Sequence, residues 1–375
     1  GISEAVLSDV AETLLKSSNV VILCGSDFNR YPFRDEELLA LDNLKRICKA
    51  AKIAILPENS NSVGAELFGA YPSHYPGWKG ISSKSKFEDL WRGPIPDFTG
   101  KDMIGILEAI NDDEIECGFI YNADPVRVFP DGNYADAVLE KLKLLVVIDS
   151  FMTDTARLAD VILPLSTFAE TEGTRTNWEG RIQYSQSTVK PMFGSKPGCE
   201  VLEMLAERLG GSFGQSRPVE VYRELNKALG DSLPARYEMF GAEGAIVSRP
   251  TQQAKPGLNR VAFNAMPSNS EYPFFLVVGN ADHHRGIDTE RNPSLLKFTG
   301  EPFVGISETD AKGLMISDGD LVRVESKSGK VVANARVLLE LSSKVVFLPE
   351  NFRELRPNLL MGLKEKFDHV KVTKM

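Results

Sequence analysis

Cysteine and histidine are scarce in this chain. Its 375 residues hold four of each, and Cys24, Cys48, Cys117 and Cys199 stand far apart with no Cys-x-x-Cys pair. That leaves no local support for an iron–sulfur cluster or a structural zinc site. Each cysteine is expected to be a small buried apolar residue in a reducing compartment. Only His283 and His284 are adjacent, so a histidine-rich metal site is not expected, and no residue stands out as a metal ligand or as a catalytic group. No apolar run approaches the roughly 20 residues that span a bilayer, which argues against direct membrane insertion. The net charge of -9, with no basic stripe interleaved with aromatics, argues against a nucleic-acid partner. The opening residues are amphipathic and acidic, unlike a signal or transit peptide.

What is present is ordinary globular material, 42% apolar and 25% charged, at a length that suits two or three domains. Residues 3–16 repeat apolar positions at helical spacing, with Ser3 as the expected N-cap. A buried strand follows Asn19 and ends at Gly25, where Gly25–Asn29 reads as a strand-end turn. A helix over 35–51 and a strand over 53–56 come next. Residues 57–100 are rich in Pro, Gly, Ser, Asn and aromatics, with a short helix expected over 84–92; so long an irregular stretch is usually functional or docked on a neighbour. A second run of helix (102–110), strand (116–121), helix (133–141) and strand (144–148) indicates a parallel α/β layer, with the strand ends at Asn122 and Asp149 side by side. Helices are expected over 199–209 and near 219–229. From Tyr272 the pattern changes to period two, predicting a β-barrel or sandwich. The division expected is 1–229 for the α/β region, 230–271 for a linker and 272–375 for the β domain.

The stretch Leu144–Gln183 carries the most chemistry. An apolar run ends in Asp149, whose two carboxylate oxygens suit the paired N–H groups of a guanine edge. Thr153 and Thr155 stand at a helix start, which suits phosphate. Gly173 and Gly180 permit close backbone approach. Asn177 and Arg181 offer planar donors and acceptors for a pterin or purine. Each also has a plain structural reading: Asp149 and Thr153 as caps, Glu179 and Arg181 as a surface pair.

Taken together, ADVILP followed by FAETEGTRTNWEGRIQ resembles the signature of the molybdopterin oxidoreductase superfamily, which includes formate dehydrogenases, nitrate reductases and the large iron–sulfur subunit of respiratory complex I. The turn Asn122-Ala-Asp-Pro, followed by FPDG, is similar to the family's strand-end turn. ISETDAKGLMISDGDLVRVESKSGK and VVFLPENFRELRPNLL resemble its C-terminal dinucleotide-binding domain. The fold implied is α/β, with parallel doubly wound sheets of the formate dehydrogenase type followed by a C-terminal double-psi β-barrel. The cofactor-binding positions implied are Asn122, Asp149, Thr153, Glu172, Asn177, Gly180, Arg181, His284 and Asn358. His284 stands with Asn280, His283, Thr289 and Arg291 in a polar segment similar to the family's pterin-contacting one. The family's cluster-binding cysteine motif and its metal ligand have no counterpart here, so the sequence reads as the C-terminal part of a larger subunit.

Two spellings lean toward the complex I branch: Asn59-Ser-Asn-Ser-Val-Gly-Ala65, where formate dehydrogenases more often read NNVQGA, and Glu179-Gly-Arg181, where they often read ERR. That branch implies a scaffold that binds no cofactor itself, partnered by other peripheral-arm subunits, cytoplasmic and peripheral to the inner membrane. The alternative is the cofactor half of a formate dehydrogenase-like molybdenum or tungsten enzyme, which would bind molybdopterin guanine dinucleotide at positions that the first branch merely inherits. A nucleotide-binding protein without redox chemistry is a third reading.

Overall fold

Helix α1 (Glu4–Lys16) begins where the Ser3 hydroxyl accepts a hydrogen bond from the Val6 amide at 3.4 Å. The structure, a computed structural model, describes residues 2–25, 34–48, 51–231, 233, 236–249, 257–262 and 267–375. After α1 come β1 (Val20–Cys24), α2 (Arg34–Ile47), β2 (Ala51–Ile55), α3 (Ser62–Leu67), the two-residue strands β3 (His74–Tyr75) and β4 (Lys79–Gly80), and α4 (Lys84–Trp91). Then follow α5 (Met103–Asn111), β5 (Cys117–Tyr121), α6 (Pro125–Val128), α7 (Gly132–Leu139), β6 (Leu144–Asp149) and β7 (Val161–Pro164). Next are β8 (Gly173–Thr176), β9 (Arg181–Ser185), α8 (Gly198–Arg208), α9 (Pro218–Ala228) and β10 (Ala245–Ile246). The last stretch contains β11 (Phe274–Gly279), α10 (Ile287–Glu290), α11 (Pro293–Leu296), β12 (Phe303–Ser307), α12 (Glu308–Gly313), β13 (Leu321–Glu325), β14 (Lys330–Leu338), β15 (Val345–Pro349) and β16 (His369–Lys374).

The chain divides into two units whose segments alternate. The first takes Gly1–Asp102 and Leu165–Asn264, the second Met103–Pro164 and Ala265–Met375.

In the first unit, β1 and β2 pair in parallel, and β10, β9 and β8 form an antiparallel sheet. Its main core joins Leu67, Ile182, Val219, Tyr222, Leu225, Leu233, Tyr237 and Val247. The stretch 57–100 holds more regular structure than its composition predicts, with Leu67 and Phe87 fully buried. Its elements are two to eight residues long, too short to display a period. Ser26–Asn29, in the expected turn after β1, lie outside the described residues, as do 232, 234–235, 250–256 and 263–266 of the expected linker.

In the second unit, β5, β6 and β7 form a parallel sheet, with Tyr121 opposite Ile148 and Ile148 opposite Leu163. Residues 145–149 of β6 are all buried, as its unbroken apolar run requires of a strand covered on both faces. Helices α5 and α7 cover one face through Leu107, Ile110, Ala135, Val138 and Leu139. The period-two segment closes into a six-stranded barrel in the order β11-β15-β12-β14-β13-β16. Val331, Ala333 and Ala335 of β14 point into it while their neighbours face out.

The cysteines depart from expectation: Cys48 is buried, Cys24 and Cys199 are half-buried, and Cys117 is exposed. Cys117 lies on the outward positions of edge strand β5, with Phe119 and Tyr121. Alternation along an edge strand, not residue type, decides its exposure.

Candidate functional site

The sheet of the second unit ends at Asn122 and Asp149. The Asn122 amide donates to Ile148 O at 2.8 Å, so the two strand ends lie side by side. Asn122 itself turns the chain with φ of 48°, a left-handed conformation that asparagine tolerates well. Asp149 is only 7% exposed. Its Oδ1 accepts from the Phe151 amide at 2.9 Å. Desolvation raises its carboxyl above the usual carboxylate range, the Phe151 and Ser150 amides pull the other way, and Asp124 adds repulsion. Among the described residues no cation offsets this charge, which makes it expensive to keep ionised without a further donor.

Beside it, Asp124 gathers the two strand-end loops. Its carboxylate accepts from the Thr155 amide (2.9 Å), the Thr155 hydroxyl (2.7 Å) and the Asp154 amide (3.3 Å). The Thr155 hydroxyl in turn accepts from the Val126 amide at 3.2 Å. Thr153 Oγ1 accepts from the Ala156 amide at 3.0 Å, capping the 3-10 turn Thr155–Arg157. The two threonines read as phosphate-binding thus hold loops together. Asp124 carried a local signal, since an Asp-Pro pair marks a helix start.

Barrel loops pack onto this edge within the same unit. The Arg127 guanidinium donates to Glu290 at 2.9 Å and to Asn351 O at 2.8 Å, with the two charged side chains 10% and 15% exposed. Arg291 donates to Met152 O at 3.0 Å and lies over the Phe151 ring, and Arg353 pairs with Asp154 at 2.7 Å. Asn280 accepts from the Asn351 amide group at 3.0 Å, and Thr289 Oγ1 from the Arg285 amide at 2.9 Å. The Asn358 side-chain amide donates to Val126 O (2.9 Å) and Phe129 O (3.0 Å), while its Oδ1 is buried without a partner. Arg127, Glu290, Asn351 and Arg353 were not singled out in the sequence, because their partners are far away in the chain and follow no local pattern; Arg127 and Asn351 alone are separated by 224 residues.

His284 is buried against the edge of Phe352, with ring centroids 4.7 Å apart. Its Nδ1 accepts from the Gly286 amide at 3.2 Å, which places the proton of the neutral ring on Nε2. Desolvation and then the Arg127 charge push its pKa down. An unfolded chain takes up a proton at this position near pH 6.5 and the folded one resists, so the stability contributed by neutral His284 is lost as pH falls below that value. Melting temperatures measured between about pH 7.5 and 5.5 should therefore fall less steeply in His284→Phe than in the parent chain.

Glu172, Asn177, Gly180 and Arg181 belong to the first unit, where β8 and β9 form a hairpin. Asn177 Oδ1 accepts from the amides of Glu179 and Arg181, both at 3.0 Å, and so builds the turn itself. Gly180 has φ of 83°, and a Cβ there would lie 2.3 Å from Val247 O. Arg181 donates to Glu243 O at 2.7 Å and pairs with Glu179 at 3.4 Å. Glu172 accepts from the hydroxyls of Tyr184 (2.8 Å) and Tyr237 (2.9 Å). The sequence positions read as one site thus fall in two units, each set engaged in its own surroundings.

A family model described as molybdopterin oxidoreductase matches residues 5–208, and one described as molydopterin dinucleotide binding domain matches residues 274–374. An NADH-quinone oxidoreductase subunit of Rhizobium meliloti is 30% identical over 363 residues, covering 95% of this chain and 42% of the relative. The alpha subunit of an F420-dependent formate dehydrogenase of Methanocaldococcus jannaschii is 30% identical over 356 residues, covering 85% and 52%. The alpha subunit of an NADPH-Fe(3+) oxidoreductase of Geobacter sulfurreducens is 28% identical over 367 residues, covering 96% and 42%. The chain thus spans about half the length of the curated relatives it matches. Acetylene hydratase from Pelobacter acetylenicus shares the fold, with a TM-score of 0.60 at 16% identity over 72% of this chain and 46% of that one. With the parallel sheets, the closed barrel and a family model spanning more than half its length, the chain belongs to the molybdopterin oxidoreductase family.

Proposed function

We propose that this chain is the C-terminal scaffold region of the large subunit of a complex I-type NADH:quinone oxidoreductase. It holds other peripheral-arm subunits while electrons pass through clusters carried elsewhere in the larger protein. The observation behind this reading is that residues expected to face a pterin have architectural work. Asn177 builds its turn, Glu172 holds two tyrosines, and Asn358 clamps the loop after β5. The spelling Asn59–Ala65 also has a packing reason. Asn61 Oδ1 accepts from the Thr176 amide at 2.9 Å, and a Cβ on Gly64 would sit 2.1 Å from that oxygen. The Rhizobium relative, matched over nearly the whole chain, supports the same branch. Metal analysis of the full-length subunit purified from its source tests the proposal: a scaffold carries substoichiometric molybdenum and tungsten, and one metal per subunit would overturn it.

Asp149 favours a second reading, a formate dehydrogenase-like cofactor half, and the formate dehydrogenase relative is equally similar. A buried carboxylate with only backbone partners fits a guanine edge, and the orphaned Asn358 Oδ1 fits a ligand donor. Molybdopterin guanine dinucleotide would then be held by Asp149 at the guanine, with Asn358 and the His284 Nε2–H as further contacts. Once bound, it would supply oxygen-atom or hydride transfer. In this reading GDP raises the melting temperature and Asp149→Ala abolishes the shift; a shift that survives the substitution would remove guanine from the pocket. In either reading Asp149→Asn should raise the melting temperature of the free chain at neutral pH, since the desolvated charge disappears while the oxygen that accepts from Phe151 remains.

A further inference from the structure

Glu172 precedes β8 and has both carboxylate oxygens engaged by phenols. Tyr237 donates to Oε1 at 2.9 Å and Tyr184 to Oε2 at 2.8 Å. The two rings stack, with centroids 4.9 Å apart and planes inclined by 18°. Tyr222 meets Tyr237 edge-on at 5.5 Å. Tyr237 is fully buried, Tyr184 is half-buried and Glu172 is exposed, so the pair leads from the core toward the surface. Desolvation first, and the bond to Glu172 second, push Tyr184 up to about 12 and raise Tyr237 as well. Both phenols therefore keep their protons at neutral pH and share one acceptor. A phenol loses an electron far more readily when its proton has a base to move to, and each ring here has one in place.

We propose that Tyr184, Glu172 and Tyr237 form a relay that carries a one-electron oxidising equivalent from the buried ring to the half-exposed one. A strong one-electron oxidant of the radical class takes an electron from Tyr237, whose proton moves to Glu172 Oε1. The products are a neutral phenoxyl, a carboxylic acid and the reduced oxidant. An electron then crosses the stack from Tyr184 to Tyr237. The Tyr184 proton moves to Oε2 as the Oε1 proton returns to Tyr237, which leaves the radical on Tyr184. A solution reductant gives Tyr184 an electron, the Oε2 proton returns to its oxygen, and the starting state is restored. The relay thereby drains oxidising damage from this core to solvent.

The test uses the full 375-residue chain with flash-generated tris(bipyridine)ruthenium(III), persulfate as the electron scavenger, and electron paramagnetic resonance of freeze-quenched samples. The chain has nine tyrosines, so the Tyr184→Phe/Tyr237→Phe double variant sets the background. The parent chain should give a tyrosyl signal above that background. Glu172→Gln should slow its formation about tenfold and remove its solvent deuterium isotope effect. Tyr184→Phe should leave the radical on Tyr237 and slow its reduction by ascorbate by a similar factor. The two tyrosine variants keep their rings, so they remain informative if Glu172→Gln does not fold. A signal in the double variant equal to that of the parent would overturn the relay, as would ascorbate decay unchanged in Tyr184→Phe.

Discussion

Arg127→Ala is expected to lower the stability of the second unit by about 3 kcal/mol, because it takes from Glu290, in a largely buried position, the nearer of its two cations and leaves only Arg291 at 3.7 Å. The substitution also strips Asn351 O of its donor, and with it a link between the loop after β5 and the barrel. Replacing both partners with apolar residues of similar volume, as in Arg127→Met/Glu290→Leu, should recover most of the loss, since the desolvation of both charges disappears together. The choice of probe matters. Trp78, Trp91 and Trp178 all belong to the first unit, so none of them reports on this unit from within it. Hydrogen exchange of the β6 and barrel amides reads it directly. Unchanged protection in Arg127→Ala would mean that the ion pair contributes nothing to holding these elements together.

Gly180→Ala should destabilise the first unit by a comparable amount, about 3 kcal/mol. Two effects add. The residue has φ of 83°, where a side chain is strained, and the new Cβ would lie 2.3 Å from a backbone oxygen that cannot swing aside. That oxygen belongs to Val247, whose amide donates to Gly180 O at 2.8 Å, so relief of the clash pulls the chain of β10 away from β9. Tryptophan fluorescence during urea unfolding checks this, with Trp178 in the same turn. Because the glycine serves the hairpin, the loss should be the same with and without GDP; a loss confined to the nucleotide-bound form would make Gly180 a ligand position instead.

Much of the fold could be read from the sequence because its signals are local. The apolar run Leu144–Ile148, short and rich in β-branched residues, marks a strand buried on both sides, and the period of 321–325 and 330–338 marks a sheet with one face in a core. The stretch around Tyr237 and Val247 hid its burial because a 3-10 turn of three residues and a two-residue strand have no period to detect. The site was less legible for a different reason. Asparagine, glycine and threonine serve turns and ligands alike, so residue type leaves the choice open at Asn177, Gly180 and Thr153. At Glu172 and Asn358 the deciding partners are distant: Tyr237 is 65 residues from Glu172, and Val126 is 232 from Asn358. At Asp149 no distant side chain fixes the role, because every group that hydrogen-bonds to it is backbone.

The barrel's strand order bears on how the chain is made. β16 lies between β11 and β13, with Val370 opposite Phe274 and Lys374 opposite Val322. Until His369–Lys374 has left the ribosome, β11 and β13 each present an open edge, and no earlier strand can take the place between them. The β5–β6–β7 layer waits as well, since Arg127 and Val126 find their partners only at Glu290, Asn351 and Asn358. At 5–20 residues per second the roughly 200 residues that follow Pro164 take on the order of ten seconds or more to make, and Met103–Pro164 waits that long for the rest of its unit. During that interval the exposed strand edges invite pairing with other chains. Deleting β16 should therefore send the protein to the insoluble fraction even though the core residues of β12, β14 and β15 remain.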